Sequence, residues 1–154
     1  MPSSLDRIRE YLDANNVQYR VIEHAAAGSA EEYHEVLGTR FEEQAKALFV
    51  RYKKPGDKGF VILALQAQKR ADLNRVARLI KASETRLGTA QQLAEATGCS
   101  FGELPPLAGI YGLQLLMDKD LLAQDEIFFN AGTLTVSIAV DPKQIEKLEQ
   151  PIAY

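Results

Sequence analysis

Cysteine is almost missing from this 154-residue chain. Cys99 stands alone, so no disulfide can form within the chain and no thiolate zinc cluster can assemble. Histidine is nearly as scarce. Only His24 and His34 occur, and a Ser-His-Asp or Cys-His group would have to recruit one of them, yet neither lies in a nucleophile-elbow context. There is no G-x-x-x-x-G-K-[ST] phosphate loop and no G-x-G-x-x-G fingerprint. Glu31 and His34 make one Glu-x-x-His pair; a carboxylate-bridged metal site takes two such pairs from facing helices, so no metal and no cofactor is expected. No apolar run approaches the roughly 20 residues of a membrane span. The first residues, Met-Pro-Ser-Ser-Leu-Asp-Arg, lack the basic-then-apolar plan of a signal peptide. These absences leave a cytoplasmic, soluble protein with no membrane partner as the expectation.

The chain is 46% hydrophobic and 25% charged, ordinary for a globular protein and wrong for a disordered one. Its length suits a single domain spanning 1–154, large enough to bury roughly two-thirds of its unfolded surface. Charge is unevenly spread. Between Arg51 and Arg86 ten basic residues face three acidic ones, a net +7, while the remainder carries −10. Such asymmetry fits an anionic partner on one side of the molecule, or a solvated basic helix and hairpin tip.

Spacing of apolar and capping residues predicts the elements. Leu5, Ile8, Tyr11 and Leu12 recur at helical spacing behind Ser3 or Ser4, giving a helix over 4–15. A short strand over 19–23 follows, then a small-residue loop and the capping box Ser29-Ala-Glu-Glu32, opening a helix over 30–37 that Gly38 stops. Residues 45–52 and 60–65 read as a hairpin with a basic tip. Leu73, Val76, Ala77, Leu79 and Ile80 give a helix; Thr89 with Gln92 caps another that ends near Gly98. Gly102–Gly112 reads as loop, 113–117, 126–130 and 134–140 as strands, and Pro142 as the first residue of a terminal helix. Irregular alternation of strands and helices predicts an α+β (mixed α/β) domain with a mostly mixed sheet.

Three features carry candidate chemistry. Lys46 shares a strand face with Leu48, Val50 and Tyr52; it either snorkels out at the strand end or points into a cleft as a fixed cation. Gly102-Glu103-Leu104-Pro105-Pro106 is a stiffened loop, either a connector or a presenter of main-chain N–H groups. Asn130-Ala131-Gly132-Thr133 reads fully as a hairpin turn.

The order of features says more than any one of them. His24 follows the first strand, Ser29-Ala30-Glu31-Glu32 caps a helix, and Ala45-Lys46-Ala47-Leu48 opens a strand. Gly102-x-x-x-Pro106, Asp118 after a strand and Asn130-Ala131-Gly132 before the last strand complete the series. This arrangement, from about Leu5 to Leu148, resembles the YbaK family, the editing domains associated with prolyl-tRNA synthetases and their free-standing relatives.

The resemblance implies a curved mixed β-sheet wrapped by helices. It also implies a trans-acting deacylase that hydrolyses the ester of mischarged aminoacyl-tRNA, with tRNA-Pro as carrier and an aminoacyl-tRNA synthetase as a further partner. By the same resemblance Lys46, Gly102 and Pro106 are catalytic, and His24, Ser29, Leu104, Pro105, Asp118, Asn130 and Gly132 bind substrate. Lys53, Lys54, Arg75 and Arg78, from the basic stretch, would meet the tRNA backbone. A non-catalytic module that holds tRNA or a nucleotide on the same fold is the alternative. The chain departs from many relatives in carrying Ala47, where they have a small polar residue, directly after the lysine, and from some branches in having no histidine after His34.

Overall fold

The computed structural model describes residues 2–154. Helix α1 (Ser4–Ala14) starts at Ser3, whose hydroxyl accepts from the Asp6 N–H while the Asp6 carboxylate takes the Ser3 N–H. Strand β1 (Tyr19–Glu23) and helix α2 (Ala30–Leu37) follow; Ser29 caps α2, and Gly38 ends it at φ +70°. The box at Ser29 is only half closed, because Glu32 Oε1 accepts from Gly28 N–H instead of the cap residue's own. A 3-10 turn at Phe41–Glu43 leads into β2 (Ala45–Lys54) and β3 (Asp57–Gln66).

The hairpin is tighter than its sequence suggested. The strands run on through Lys54 and Asp57, so only Pro55 and Gly56 turn the chain, with Gly56 at φ +75°. Proline presets the first turn position and glycine accepts the positive φ of the second. Helix α3 (Leu73–Ile80), strand β4 (Glu84–Leu87), helix α4 (Ala90–Thr97), a 3-10 turn at Gly109–Tyr111 and strand β5 (Gln114–Met117) come next. Helix α5 (Lys119–Leu122), strands β6 (Ile127–Asn130) and β7 (Val136–Val140), helix α6 (Pro142–Glu149) and strand β8 (Ile152–Ala153) complete the chain.

The mixed α+β class stands, but the strands divide between two sheets. One has the order β1-β7-β6 and is antiparallel; the other, β4-β2-β3-β5-β8, mixes antiparallel and parallel pairs. A lone parallel bridge between Gln44 and Phe128 joins them. Central strand β3 is buried on both faces. Ile62 and Ala64 join a core with Ile8, Leu12, Leu93, Phe129 and Ile138, whereas Val61, Leu63 and Leu65 pack with Val76 and Ile80 under α3. The long 102–112 stretch that leads into β5 is tied down by Glu149, which accepts from the N–H groups of Ala108 and Gly109 and from the Tyr11 hydroxyl.

Candidate active site

Strand β4 pairs with β2 only from Val50 to Lys53, so the first half of β2 has an uncovered edge. Over it lies a cavity of about 300 Å³, walled by the Ala27–Ala30 loop, Tyr33, the 102–104 loop, Phe128 and Asn130. Of the residues lining it, Lys46 alone is charged.

Lys46 is half-buried. It leaves β2 on the face of Leu48 and Val50, and its Nζ donates to the Lys69 carbonyl at 2.5 Å. Burial pushes its pKa below the usual 10.5, because a charged form is disfavoured away from water. Among the described residues it forms no ion pair, while Lys69 itself is bound by Asp118 and Asp120 at 2.8 and 2.6 Å. An ammonium has three donors, so Lys46 keeps two for whatever enters the cavity. Its ammonium is anchored on the Lys69 carbonyl.

The structure brings Lys46, Ser29, Gly102, Leu104 and Asn130 to this one cavity. Gly102 adopts φ +85°, which favours glycine. Its carbonyl accepts from Asn130 Nδ2 at 3.1 Å, and the same amide donates to Ala27 O at 2.8 Å. Asn130 therefore ties the two loops that form opposite walls. Its Oδ1 accepts from Ser137 Oγ at 3.2 Å, and Ser137 in turn takes the Tyr33 hydroxyl and meets His24 Nε2 at 2.7 Å. Burial raises the Tyr33 pKa well above its usual value, so its hydroxyl stays protonated and donating.

The other expected residues lie outside the cavity lining. His24 has both ring nitrogens engaged, Nδ1 on the Ala25 carbonyl and Nε2 on Ser137. Pro105 and Pro106 are buried behind Leu104 and stiffen the loop from within. Gly132, at φ +82°, lies against the start of α1 and donates its N–H to the Glu103 carbonyl. Asp118 caps α5 and belongs to a second hollow with Lys69 and Arg75. Lys53 and Lys54 stand at the hairpin tip, about 23 Å along the strand from Lys46 at roughly 3.3 Å per residue. Arg75 and Arg78 are exposed on α3, with Arg75 over the Tyr154 ring.

Tyr33, Gln44, Ser137 and Phe128 carry no mark in the sequence that singles them out. Gln44 is buried; its Nε2 donates to Ala30 O and Thr39 Oγ1, leaving Oε1 without a partner among the described residues. No group of three or more histidine, cysteine or acidic side chains able to hold a metal gathers among the described residues. No helix among them is long and apolar enough to cross a membrane.

Replacing Asn130 with alanine removes both wall-to-wall hydrogen bonds and leaves Ser137 short of a partner. The expected cost is about 1–3 kcal/mol, read as a lowered urea midpoint.

A cavity with one unpaired cation, no histidine in its lining and a glycine-bearing wall offers hydrogen-bond donors to an anion or a carbonyl oxygen but no protein nucleophile or imidazole base. A family model described as the aminoacyl-tRNA editing domain matches residues 24–148, and the chain belongs to that family. Its particular likeness is to the multifunctional Ser/Thr-tRNA deacylase ProXp-y of Escherichia coli K12, 34% identical over 146 residues, 94% of this chain and 87% of that protein. A solved structure presented as a trans-editing enzyme for prolyl-tRNA synthetase matches with a TM-score of 0.85 at 23% identity, over 100% of this chain and 96% of the other. The hypothetical protein APE2540 matches equally well, TM-score 0.85 at 21% identity and 96% of each chain. These two structural matches share the fold.

Proposed function

We propose that this aminoacyl-tRNA deacylase acts in trans, as a free-standing unit, on seryl and threonyl esters of mischarged tRNA. The observation that carries this reading is Lys46, a half-buried cation with spare donors, lining a cavity that holds no other charge. The amino acids are those in the name of the curated relative; tRNA-Pro as carrier and a synthetase as partner rest on the family resemblance.

Water adds to the ester carbonyl, the acyl C–O bond breaks, and the ribose oxygen leaves with a proton, giving free amino acid and tRNA. Donors fixed in advance toward the developing oxyanion lower that barrier without reorganising. Lys46 supplies one as a point charge; the Gly102 N–H, in a loop held by Asn130 and by the Gly132–Glu103 bond, supplies the kind of main-chain donor such a site needs. Holding ester and water together supplies the rest, so no protein nucleophile is required.

The test is release of amino acid from a panel of tRNAs charged with serine, threonine, alanine, cysteine and proline, including tRNA-Pro bodies. Seryl and threonyl esters are expected to turn over fastest. Protection of every ester, with tRNA bound, would establish a holding module instead.

Lys53→Gln with Lys54→Gln should leave single-turnover chemistry intact and weaken tRNA capture. For each phosphate the protein no longer neutralises, the slope of log(kcat/KM) against log[salt] should become shallower by about 0.7–0.9. A double variant with the wild-type slope would place the hairpin tip off the tRNA.

A further inference from the structure

Two large apolar side chains are far more exposed than any other among the described residues: Phe101 at 62% and Leu87 at 51%, the next reaching only 38%. A single exposed apolar side chain needs no explanation. These two flank the same small hollow. It measures about 130 Å³, has an almost wholly apolar lining, and shares Ala47, Leu48, Gly102 and Leu104 with the Lys46 cavity. In size it matches one purine ring and is too small for a nucleoside.

Its floor is the open edge of β2. The Phe49 carbonyl accepts from Gly88 N–H, where β4 runs out, while on the other edge the Gln44 carbonyl accepts from Ala67 N–H. Alternate residues of a strand direct their main-chain groups to the same edge. Ala47 therefore turns its N–H and C=O to the side of Phe49, where no strand continues the ladder. One donor and one acceptor side by side, between an aromatic ring and a leucine, are complementary to the edge of adenine, whose amino group donates and whose ring nitrogen accepts.

We propose that this hollow seats the adenine of the acylated nucleotide, stacked on Phe101 and read along its edge by Ala47, while the ester lies in the adjoining cavity at Lys46. The assignment rests on the deacylase reading for its ligand and adds a second subsite to it. Aromatic platforms are a general means of holding unpaired bases, with each stack contributing enough that its loss is felt strongly. The position is right for the ribose between ester and base to cross the shared wall at Gly102.

The experiment uses two probes. A CCA trinucleotide labelled with fluorescein at its 5′ end and keeping the natural terminal adenine should gain anisotropy on binding the wild type; Phe101→Ala should bind it about 10- to 100-fold more weakly, Phe101→Tyr should restore the affinity, and Phe101→Leu should not. In deacylation, Phe101→Ala should lower kcat/KM by a similar factor on normal substrate and by nothing on a substrate whose last nucleotide is abasic. Phe101 is mostly exposed, so these variants keep the fold, which circular dichroism checks. Wild-type binding and turnover by Phe101→Ala, an undiminished defect on the abasic substrate, or a defect erased by removing the preceding base instead would each overturn the proposal. If the wild type binds the probe, and Phe101→Ala does not, yet no charged tRNA is hydrolysed, the adenine subsite stands and the deacylase reading falls.

Discussion

Lys46→Ala should reduce deacylation by about 10²–10³-fold, the usual loss when one preorganised donor to an oxyanion is removed, with the fold intact. Stability is the informative control. Burial holds the Lys46 pKa below 10.5, so folding disfavours its charged form and the ammonium costs stability at neutral pH. Removing it should leave the melting temperature equal or higher. The same shift sets the pH profile: the active ammonium is lost as pH rises through the lowered folded value, so the alkaline limb of kcat/KM should fall at a pH below that of an ordinary lysine. Lys46→Arg should not rescue, since a planar guanidinium is larger and directs its donors differently from a compact ammonium. Full activity in a folded Lys46→Ala protein would return this lysine to the surface role that its position at a strand end also allows.

Much of this was readable in the chain because the signals are local. Ser29 and Thr89 announce helix starts through bonds that span three residues, and Pro142 through its fixed φ at the first helical position. The alternation through β2 and β3 records burial on two faces. What escaped depends on partners far away. Strand β4 offers only Glu-Thr-Arg-Leu, with no apolar period, and exists because β2 has an edge to pair with; β8 is two residues docked on β5; α5 is a single turn capped by Asp118.

The site divides the same way. The family resemblance named Lys46, Ser29, Gly102, Leu104 and Asn130, and these five line one cavity. It did not distinguish them from His24, Gly132 and Asp118, which stand at equally suggestive element ends but turn to Ser137, α1 and Lys69. Tyr33 and Ser137 carried no signal because each reads as an ordinary inward-facing residue. The split into two sheets, joined at Gln44 and Phe128, is a long-range event with no local mark.

The other large effect lies outside the cavity, at Asp118. This carboxylate is buried. Its Oδ1 accepts from Asp120 N–H at 2.9 Å, and its Oδ2 binds Lys69 Nζ at 2.8 Å and takes the Gln66 N–H at 3.4 Å. Lys69 is also the residue whose carbonyl receives Lys46. The ion pair thus pins the turn whose carbonyl holds the Lys46 ammonium. Asp118→Ala removes a helix cap and one of the two carboxylates that hold the Lys69 ammonium, leaving it Asp120, at a cost of about 1–3 kcal/mol, and loosens the turn whose carbonyl receives Lys46.

The expected result is a lowered denaturant midpoint together with a fall of about tenfold in kcat and little change in KM, since a misaimed donor harms the transition state more than substrate capture. Lys69→Met should reproduce the kcat loss and also lower stability, because it leaves the buried Asp118 carboxylate with only its two N–H partners. The pH order is also set. Burial pulls the Lys69 pKa down, but its hydrogen bonds to Asp118 and Asp120 outweigh this and hold it above 10.5. Its contribution to stability is therefore complete below 10.5 and lost only as pH rises through the higher folded value. Lys46 gives up its proton first, and activity should fall at high pH while the clamp is still closed. Wild-type kcat in both Asp118→Ala and Lys69→Met would show that the turn holds its shape without them.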